Sequence, residues 1–508
     1  MQNNKHKKDK KAIRINISAA TQQFLDQSHQ LLIDGVWVDG EANETIETRD
    51  PARNHVLASV AIASPKDVDQ AIIAARKALK GPWSKLTHFE RARLLNRLAK
   101  LIELNTDLLT EIEVLDAGMP THIARLTVSN IVEMLEYYAG AAQRIEGSTT
   151  TSPRHLTDLS EALTYTLKEP VGVAGLIIPW NAPAISAMLK LAPALAAGCS
   201  VVLKPSEEAP LSCLLLGQLC LEAGIPAGVV NVVNGIGKVA GVTLSTHCDV
   251  DKISFTGSTE TGRKIILGAT GNLKKVSLEL GGKSPVIVMP DVNFDEVVPG
   301  IVTAAFFMQG QNSMAGSRLF IHESIHDELM ERVKFYTEQL VIGHGIDPAT
   351  VIGPMISEQH CKKVLAYIES GIKEGATLLT GGKQLSEQGL YIQPTIFTDC
   401  TADMTIVQEE IFGPVMTVQK FSTLDIDKIA ELANNTNYGL SGSVWTKDLA
   451  VAHALVARIR AGQVSINCHG AIGTNIPFGG YGQSGWGREY GLEGLNAYLE
   501  TKAVTAKL

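Results

Sequence analysis

The 508-residue chain has few aromatic side chains, at 5%, and its seven cysteines include no CxxC pair. Cys199, Cys213, Cys220, Cys248, Cys361, Cys400 and Cys468 are scattered, which excludes a disulfide framework and a zinc array of the usual ligand spacing. An odd, spread set of thiols fits a reducing, cytoplasmic compartment. Long hydrophobic runs are also missing. The longest candidate, 171–203, is broken by Trp180, Asn181, prolines and Lys190, and falls short of the ~18 apolar residues of a membrane span. Nor is there an excess of positive charge. Lys and Arg number 45 against 53 Asp and Glu, leaving a net charge of −8 that argues against nucleic acid or an anionic membrane as partner. The basic stretch from Met1 to Lys11 is followed by no apolar segment, so it fails as a secretory signal. It reads as a solvated tail over residues 1–28, with an organelle-targeting presequence as the alternative. Internal repeats, low-complexity segments and a GxSxG motif are absent from the sequence.

The chain does have a globular composition, 45% hydrophobic and 19% charged with 45 glycines and 20 prolines, at a length that divides into about two to four domains. Order is expected from near His29, where Asp34-Gly35 between β-rich runs signals a hairpin. From Pro65 to about Gly147 the apolar spacing is helical (Val68, Ile72, Ala75, Leu79). Beyond Thr164, strand-like runs at 171–178, 200–203, 229–233 and 252–255 alternate with helical ones, the pattern of a parallel α/β sheet covered on both faces. A second alternating block spans 284–482, with strands predicted at 285–289, 318–322, 376–379 and 415–420. Two runs, 163–170 and 499–505, fit neither block and read as exposed strands whose open edges need a partner, for which a subunit contact is the expectation.

Several motifs fall at strand ends, where ligands gather in such sheets. Gly235-Ile236-Gly237 with Gly241 is GxGxxxG, one residue longer than the dinucleotide fingerprint, and alone reads as a tight connection. Gly257-Ser258 with Gly262 sits at a predicted helix N-terminus, where free N–H groups suit a pyrophosphate. Lys204-Pro205-Ser206-Glu207 offers a lysine and a carboxylate to ribose hydroxyls, or else a surface ion pair. Glu279 lies in an apolar glycine-rich turn, where desolvation would raise its pKa towards the range of a general base; a structural glutamate is the alternative. Asn181, between Pro179 and Pro183, is a rigidly held amide that could serve as an oxyanion donor. The segment from Phe306 to Arg318 is a small-residue loop within an apolar stretch.

Taken in order, Pro179-Trp180-Asn181, Lys204-Pro205-Ser206-Glu207, the Phe255–Thr259 turn, Leu278-Glu279-Leu280-Gly281-Gly282-Lys283, Gln309-Gly310-Gln311, Glu409-Glu410-Ile411-Phe412-Gly413-Pro414 and Pro477-Phe478-Gly479-Gly480-Tyr481 resemble the aldehyde dehydrogenase superfamily over residues 30 to 505. The resemblance implies an α/β fold with a Rossmann-like nucleotide-binding domain (29–150 and 171–281), an α/β catalytic domain (282–484) and a β-strand oligomerisation arm (151–170 and 485–508). It implies NAD contacts at Ile177, Pro179, Trp180, Asn181, Lys204, Pro205, Ser206, Glu207, Gly237, Gly257, Ser258, Gly262, Glu279, Leu280, Glu410 and Phe412. Asn181 would be the oxyanion donor, Glu279 the base activating the deacylating water, and Lys190 and Glu489 members of a proton-exit route. A homodimer or homotetramer is implied, and no metal.

The family's nucleophile is expected as cysteine in a Gly-Gln-x-Cys-x-Ala-Gly loop, and here that loop reads Gly310-Gln311-Asn312-Ser313-Met314-Ala315-Gly316. A thiol with a pKa of about 8.5 is partly ionised at neutral pH, whereas a serine hydroxyl needs a dedicated base, and no histidine lies in the motifs around Ser313. The expectation is therefore an NAD-dependent aldehyde dehydrogenase with an impaired, Cys-to-Ser nucleophile position. The alternatives are a natural non-catalytic binding or scaffold protein and a weak serine-dependent esterase. Glu207 favours NAD over NADP by repelling a 2′-phosphate. The substrate tunnel implied by the resemblance is lined by Ala182, Ser186, Leu189, Asn312, Met314, Ile472 and Phe478. Small or aliphatic residues here imply a wide, mostly apolar pocket, with no aromatic cage and no arginine, so a bulky hydrophobic aldehyde is expected, with a broad-specificity enzyme as the alternative.

Overall fold

The computed structural model describes residues 16–150, 162–385 and 389–507. The sequence expectations for 1–15 and 151–161 lie outside them. From Val173 onward, buried strands alternate with helices to build an eight-stranded sheet. Its parallel strands run in the order Lys275–Glu279, Lys252–Thr256, Val173–Ile177, Ser200–Lys204, Val230–Val232. Val173–Ile177 and Ser200–Lys204 are buried along their whole length, as they must be with helices on both faces. The hairpin Leu31–Ile33 and Val36–Val38 closes one edge, turning through Asp34 and Gly35 at φ 51° and 78°. Chain order reverses between Val173–Ile177 and Lys252–Thr256. A binding crevice therefore opens beyond the carboxyl ends of these two strands.

The second block forms a seven-stranded sheet, ordered Thr377–Thr380, Thr395–Thr398, Val415–Phe421, Arg318–His322, Pro285–Val288, Ser441–Trp445, Gln463–Ile466. All its pairings are parallel except the first. The helical region includes Pro65–Ala78, His88–Leu104, Thr106–Ala117 and Thr121–Ala142. Capping boxes at Ser64/Asp67 and Thr87/Glu90 start the first two of these. The two unassigned strands pair with each other: Leu499–Lys507 runs antiparallel along all of Ala162–Pro170, with Thr149–Thr150 on the far side.

The structure moves two boundaries. Order does not wait for His29: Ser18 caps a helix at Ala19–Leu25, and Phe24 and Leu25 enter the main core. The polar character of 16–28 hides this because so few of its residues face inward. Residues 485–498 are not part of the arm sheet. Gly485–Trp486 pairs antiparallel with Leu278 and Glu279 at the edge of the eight-stranded sheet, and the helix Gly491–Asn496 packs on Thr121–Ala142 and Pro183–Ala197. Gly485 permits this pairing, because it sits at φ 116° and a Cβ there would fall 2.0 Å from the Leu278 carbonyl oxygen.

Gly485→Ala is therefore expected to destabilise the protein by about 2–5 kcal/mol, from backbone strain plus overpacking. Gly140, helical with open space around its Cβ position, is the contrast. Gly140→Ala should leave the thermal midpoint unchanged or raise it slightly. Parallel thermal unfolding scans of the two variants check this.

Candidate active site

The crevice is walled first by turns that leave the eight-stranded sheet. After Val173–Ile177 the chain passes Pro179-Trp180-Asn181 into the helix Pro183–Ala197. After Ser200–Lys204 it places Lys204 and Glu207 together: Lys204 Nζ is buried, donates to the Pro205 carbonyl at 2.6 Å and stands 3.4 Å from Glu207 Oε2. The other Glu207 oxygen accepts the Gly237 N–H at 3.2 Å, so the GxGxxxG turn and the Lys204 turn meet at one carboxylate. The extra residue in that glycine motif is taken up by a π-helical turn over Gly237–Gly241, ahead of the short helix Val242–Thr246. Ser258 caps the helix Thr259–Ala269 by accepting from the Thr261 N–H. Gly262 brings that helix so close to Leu280 that a Cβ would lie 2.7 Å from its side chain.

The loop bearing Ser313 enters from the seven-stranded side. Met308 and Gln309 adopt left-handed backbone, φ 53° and 49°, at a cost of about 1–3 kcal/mol each. The conformation is held from outside. Gln309 Nε2 donates to the carbonyls of Gly118 and Pro354, its Oε1 accepts the Gly353 N–H, and Gln311 Oε1 accepts the Ile356 N–H. Two glycines then let backbone touch backbone. A Cβ on Gly282 would fall 2.2 Å from the Ser313 carbonyl oxygen, and one on Gly310 would fall 2.2 Å from that of Gly413. The turn after Glu279, the Ser313 loop and the Phe412 segment thus converge. Asn181 joins them, its Nδ2 donating to the Gln311 carbonyl at 3.0 Å and keeping its second N–H for another acceptor.

Glu279 ends its strand buried, and neither of its carboxylate oxygens has a hydrogen-bond partner. Desolvation first, and the neighbouring Glu489 charge second, push its pKa well above the ordinary carboxylate range. Glu489 itself is paired with the fully buried Lys190, which also donates to Thr256 Oγ1 at 2.8 Å. Glu410 lies across the glycine pair and accepts the Gly282 N–H at 2.9 Å, and desolvation pushes its pKa up to about 7. Phe412 sits at φ 58°, edge-on to Trp180 at 5.4 Å.

The structure supplies residues that the motifs did not indicate. His360 donates from Nε2 to the Phe412 carbonyl at 2.7 Å and packs on Trp180, and burial pulls its pKa down to about 4, so it is neutral. Ala182 shares an apolar cluster with Met119, Ile123 and Met308, against which the ring of Phe307 packs, a neighbour the sequence did not indicate. Ser186 is buried, while Leu189, Asn312, Met314 and Phe478 are partly buried. Ile472 is exposed, on an irregular segment. A histidine does reach the Ser313 loop: His469 Nε2 contacts the Met314 carbonyl at 2.7 Å and Nδ1 contacts Ser443 Oγ at 2.9 Å, so both ring nitrogens are engaged. Among the described residues, His247, Cys248 and Asp249 gather possible metal donors, but the His247 nitrogens already meet Asp69 and the Asp249 N–H. The signals for His360, Phe307 and His469 are long-range contacts, which a motif does not encode.

Because Glu279 has a raised folded pKa, its ionisation opposes folding. The penalty is absent below the unfolded pKa and complete above the folded one. Glu279→Gln removes it, so the gain in thermal midpoint of that variant over the parent should grow from pH 5 to pH 8. A gain that shrinks over this range in matched thermal scans would contradict the assignment.

The chain, whose two sheets meet at the Glu279 turn and the Ser313 loop, shares both sequence and fold with known proteins. The profile of the "Aldehyde dehydrogenase family" matches residues 37–504. Aldehyde dehydrogenase 1 of Tanacetum cinerariifolium is 47% identical over 94% of this chain and 95% of its own length, and the human mitochondrial aldehyde dehydrogenase is 45% identical over 97% and 94%. The NAD+ complex of the aldehyde dehydrogenase from Bacillus cereus superposes with a TM-score of 0.94 at 42% identity, covering 97% of this chain and 99% of that one. Agreement in sequence over nearly the full length and in fold has one reading: the chain belongs to the aldehyde dehydrogenase family.

Proposed function

We propose that this chain binds NAD and a bulky hydrophobic aldehyde, and that Ser313 occupies the nucleophile position of an otherwise complete aldehyde-oxidising site. The observation that carries the proposal is the convergence at Ser313. Its backbone lies under the Gly281-Gly282 turn, with Asn181 anchored to the same loop and Glu279 unpartnered nearby in the fold. The residues fit the dinucleotide: a lysine–carboxylate pair at a strand end, a capped helix N-terminus, a half-buried Glu410 and an aromatic wall of Trp180 and Phe412. When bound, the nicotinamide supplies a hydride acceptor.

With a cysteine at position 313, the thiolate adds to the aldehyde carbon and the negative charge passes to the aldehyde oxygen. There the free Asn181 N–H donates to it. After oxidation, Glu279 takes a proton from the water that releases the acid. Its raised pKa suits that role, and Lys190 and Glu489 offer a buried route for the proton. A serine at 313 lacks activation. Glu279 makes no hydrogen bond to it, and His469 has both nitrogens committed elsewhere. The site is thus built to bind, with its dehydrogenase chemistry suppressed. The paired strands Ala162–Pro170 and Leu499–Lys507 leave Leu163 and Leu167 exposed, which supports assembly as a homodimer or homotetramer. All seven cysteines are free and most are buried, in keeping with a cytoplasmic protein, and among the described residues no helix is long and apolar enough to cross a membrane.

Ser313→Cys should raise NAD-dependent aldehyde oxidation by at least about a thousandfold, with bulky aliphatic or aromatic aldehydes ahead of acetaldehyde in a substrate panel. Continued silence of that variant would favour a non-catalytic binding protein, and ester hydrolysis lost on Ser313→Ala would favour a serine esterase. For the cofactor, titration of the parent protein should give tighter binding of NAD than of NADP, by at least about fivefold, because Glu207 repels the 2′-phosphate. Glu207→Ala should narrow that ratio.

A further inference from the structure

The helices that follow the two main ligand-facing turns have no local N-cap: neither Ala182, before Pro183–Ala197, nor Pro210, before Leu211–Glu222, makes a side-chain cap bond. Exposed N–H groups at a buried helix start need acceptors from elsewhere. One N–H of each helix start is met by the same segment. Glu113 and Asp116, one turn apart near the end of the helix Thr106–Ala117, are both fully buried. Glu113 Oε1 accepts the Ala184 N–H at 3.3 Å. Asp116 Oδ2 accepts the Leu211 N–H at 2.9 Å, and its Oδ1 accepts from Thr48 Oγ1. Neither carboxylate forms an ion pair with a described residue, so charge pairing does not explain their burial. Two residues on, the left-handed Gly118 offers its carbonyl to Gln309 Nε2 at 3.1 Å, and Gly353 packs against the same oxygen.

We propose that the segment Glu113–Gly118 is a positioning hub, in which Glu113 sets the helix behind Asn181, Asp116 sets the helix behind Lys204 and Glu207, and Gly118 holds the loop of Ser313. Each residue acts through a backbone contact on a different wall of the site. Glu113 and Asp116 are positioning residues, and the roles they support rest on the assignment of Asn181 to the aldehyde oxygen and Glu207 to the ribose. A general structural role would weaken everything together. A hub with separate outputs gives a split.

The test uses the parent chain for NAD binding, by fluorescence titration at 25 °C, and the Ser313→Cys background for turnover. Asp116→Ala should raise the NAD dissociation constant about tenfold with little change in kcat, while Asp116→Asn, which keeps an acceptor, should raise it no more than about threefold. Glu113→Ala should lower kcat about tenfold with NAD affinity unchanged, and Glu113→Gln should recover most of the loss. Equal effects of the two sites on both parameters, or none on either, overturn the hub. If the alanine variants do not fold, the amide variants decide: a split of about two- to threefold supports it and no split overturns it. Glu207→Ala separates the two readings. If it weakens NAD binding while the Asp116 variants do not, the hub alone fails; if neither does, the ribose assignment has failed.

Discussion

Backbone pressed against backbone holds this site together. The turn after Glu279 comes from one sheet and the loops of Ser313 and Phe412 from the other, and they meet where Gly282 faces the Ser313 carbonyl and Gly310 faces that of Gly413. No side chain beyond hydrogen fits at either contact. The closeness is what allows Asn181, from a third turn, to bond the Gln311 carbonyl. Left-handed residues at Met308, Gln309 and Phe412 store strain at the same junction. That strain persists because Gln309 and His360 tie these loops to elements that cannot follow a relaxation.

Around this junction the electrostatics is uneven in a consistent way. Lys190 and Glu489 satisfy each other in the interior, and Glu410 rests on a backbone N–H, but Glu279 has no partner at all. A buried carboxylate without a donor is costly, and structures keep one where its basicity is used. Neither Glu279 nor His469 is bonded to the hydroxyl at position 313: the glutamate oxygens have no partner, and both histidine nitrogens are bonded elsewhere.

Much of the architecture was legible from local pattern. The buried strands at 173–177 and 200–204 read as apolar runs, the hairpin at Asp34-Gly35 as a turn dipeptide, and the turn at Gly257-Ser258 as a helix start. These depend on periods and turn chemistry that a few neighbouring residues encode. What failed depends on distant partners. The helix Ala19–Leu25 is ordered by burial of Phe24 and Leu25 against the rest of the core, and Gly485–Trp486 belongs with the nucleotide-type sheet because Leu278 and Glu279 lie beside it. The long glycine motif at 235–241 could not be read as a π turn, because its length only makes sense once Glu207 is seen to take the Gly237 N–H.

By itself the sequence determined the fold class, the family and the identity of the residue at position 313, since each is carried by residue type in linear order. Tertiary structure alone decided which groups are satisfied and which are not. His360, Gln309, Glu113 and Asp116 matter through bonds to residues more than 40 positions away. The unpartnered state of Glu279 is likewise a property of its surroundings. Hydrogen bonding and desolvation are set by what the packed chain brings near a group, and linear spacing does not record that.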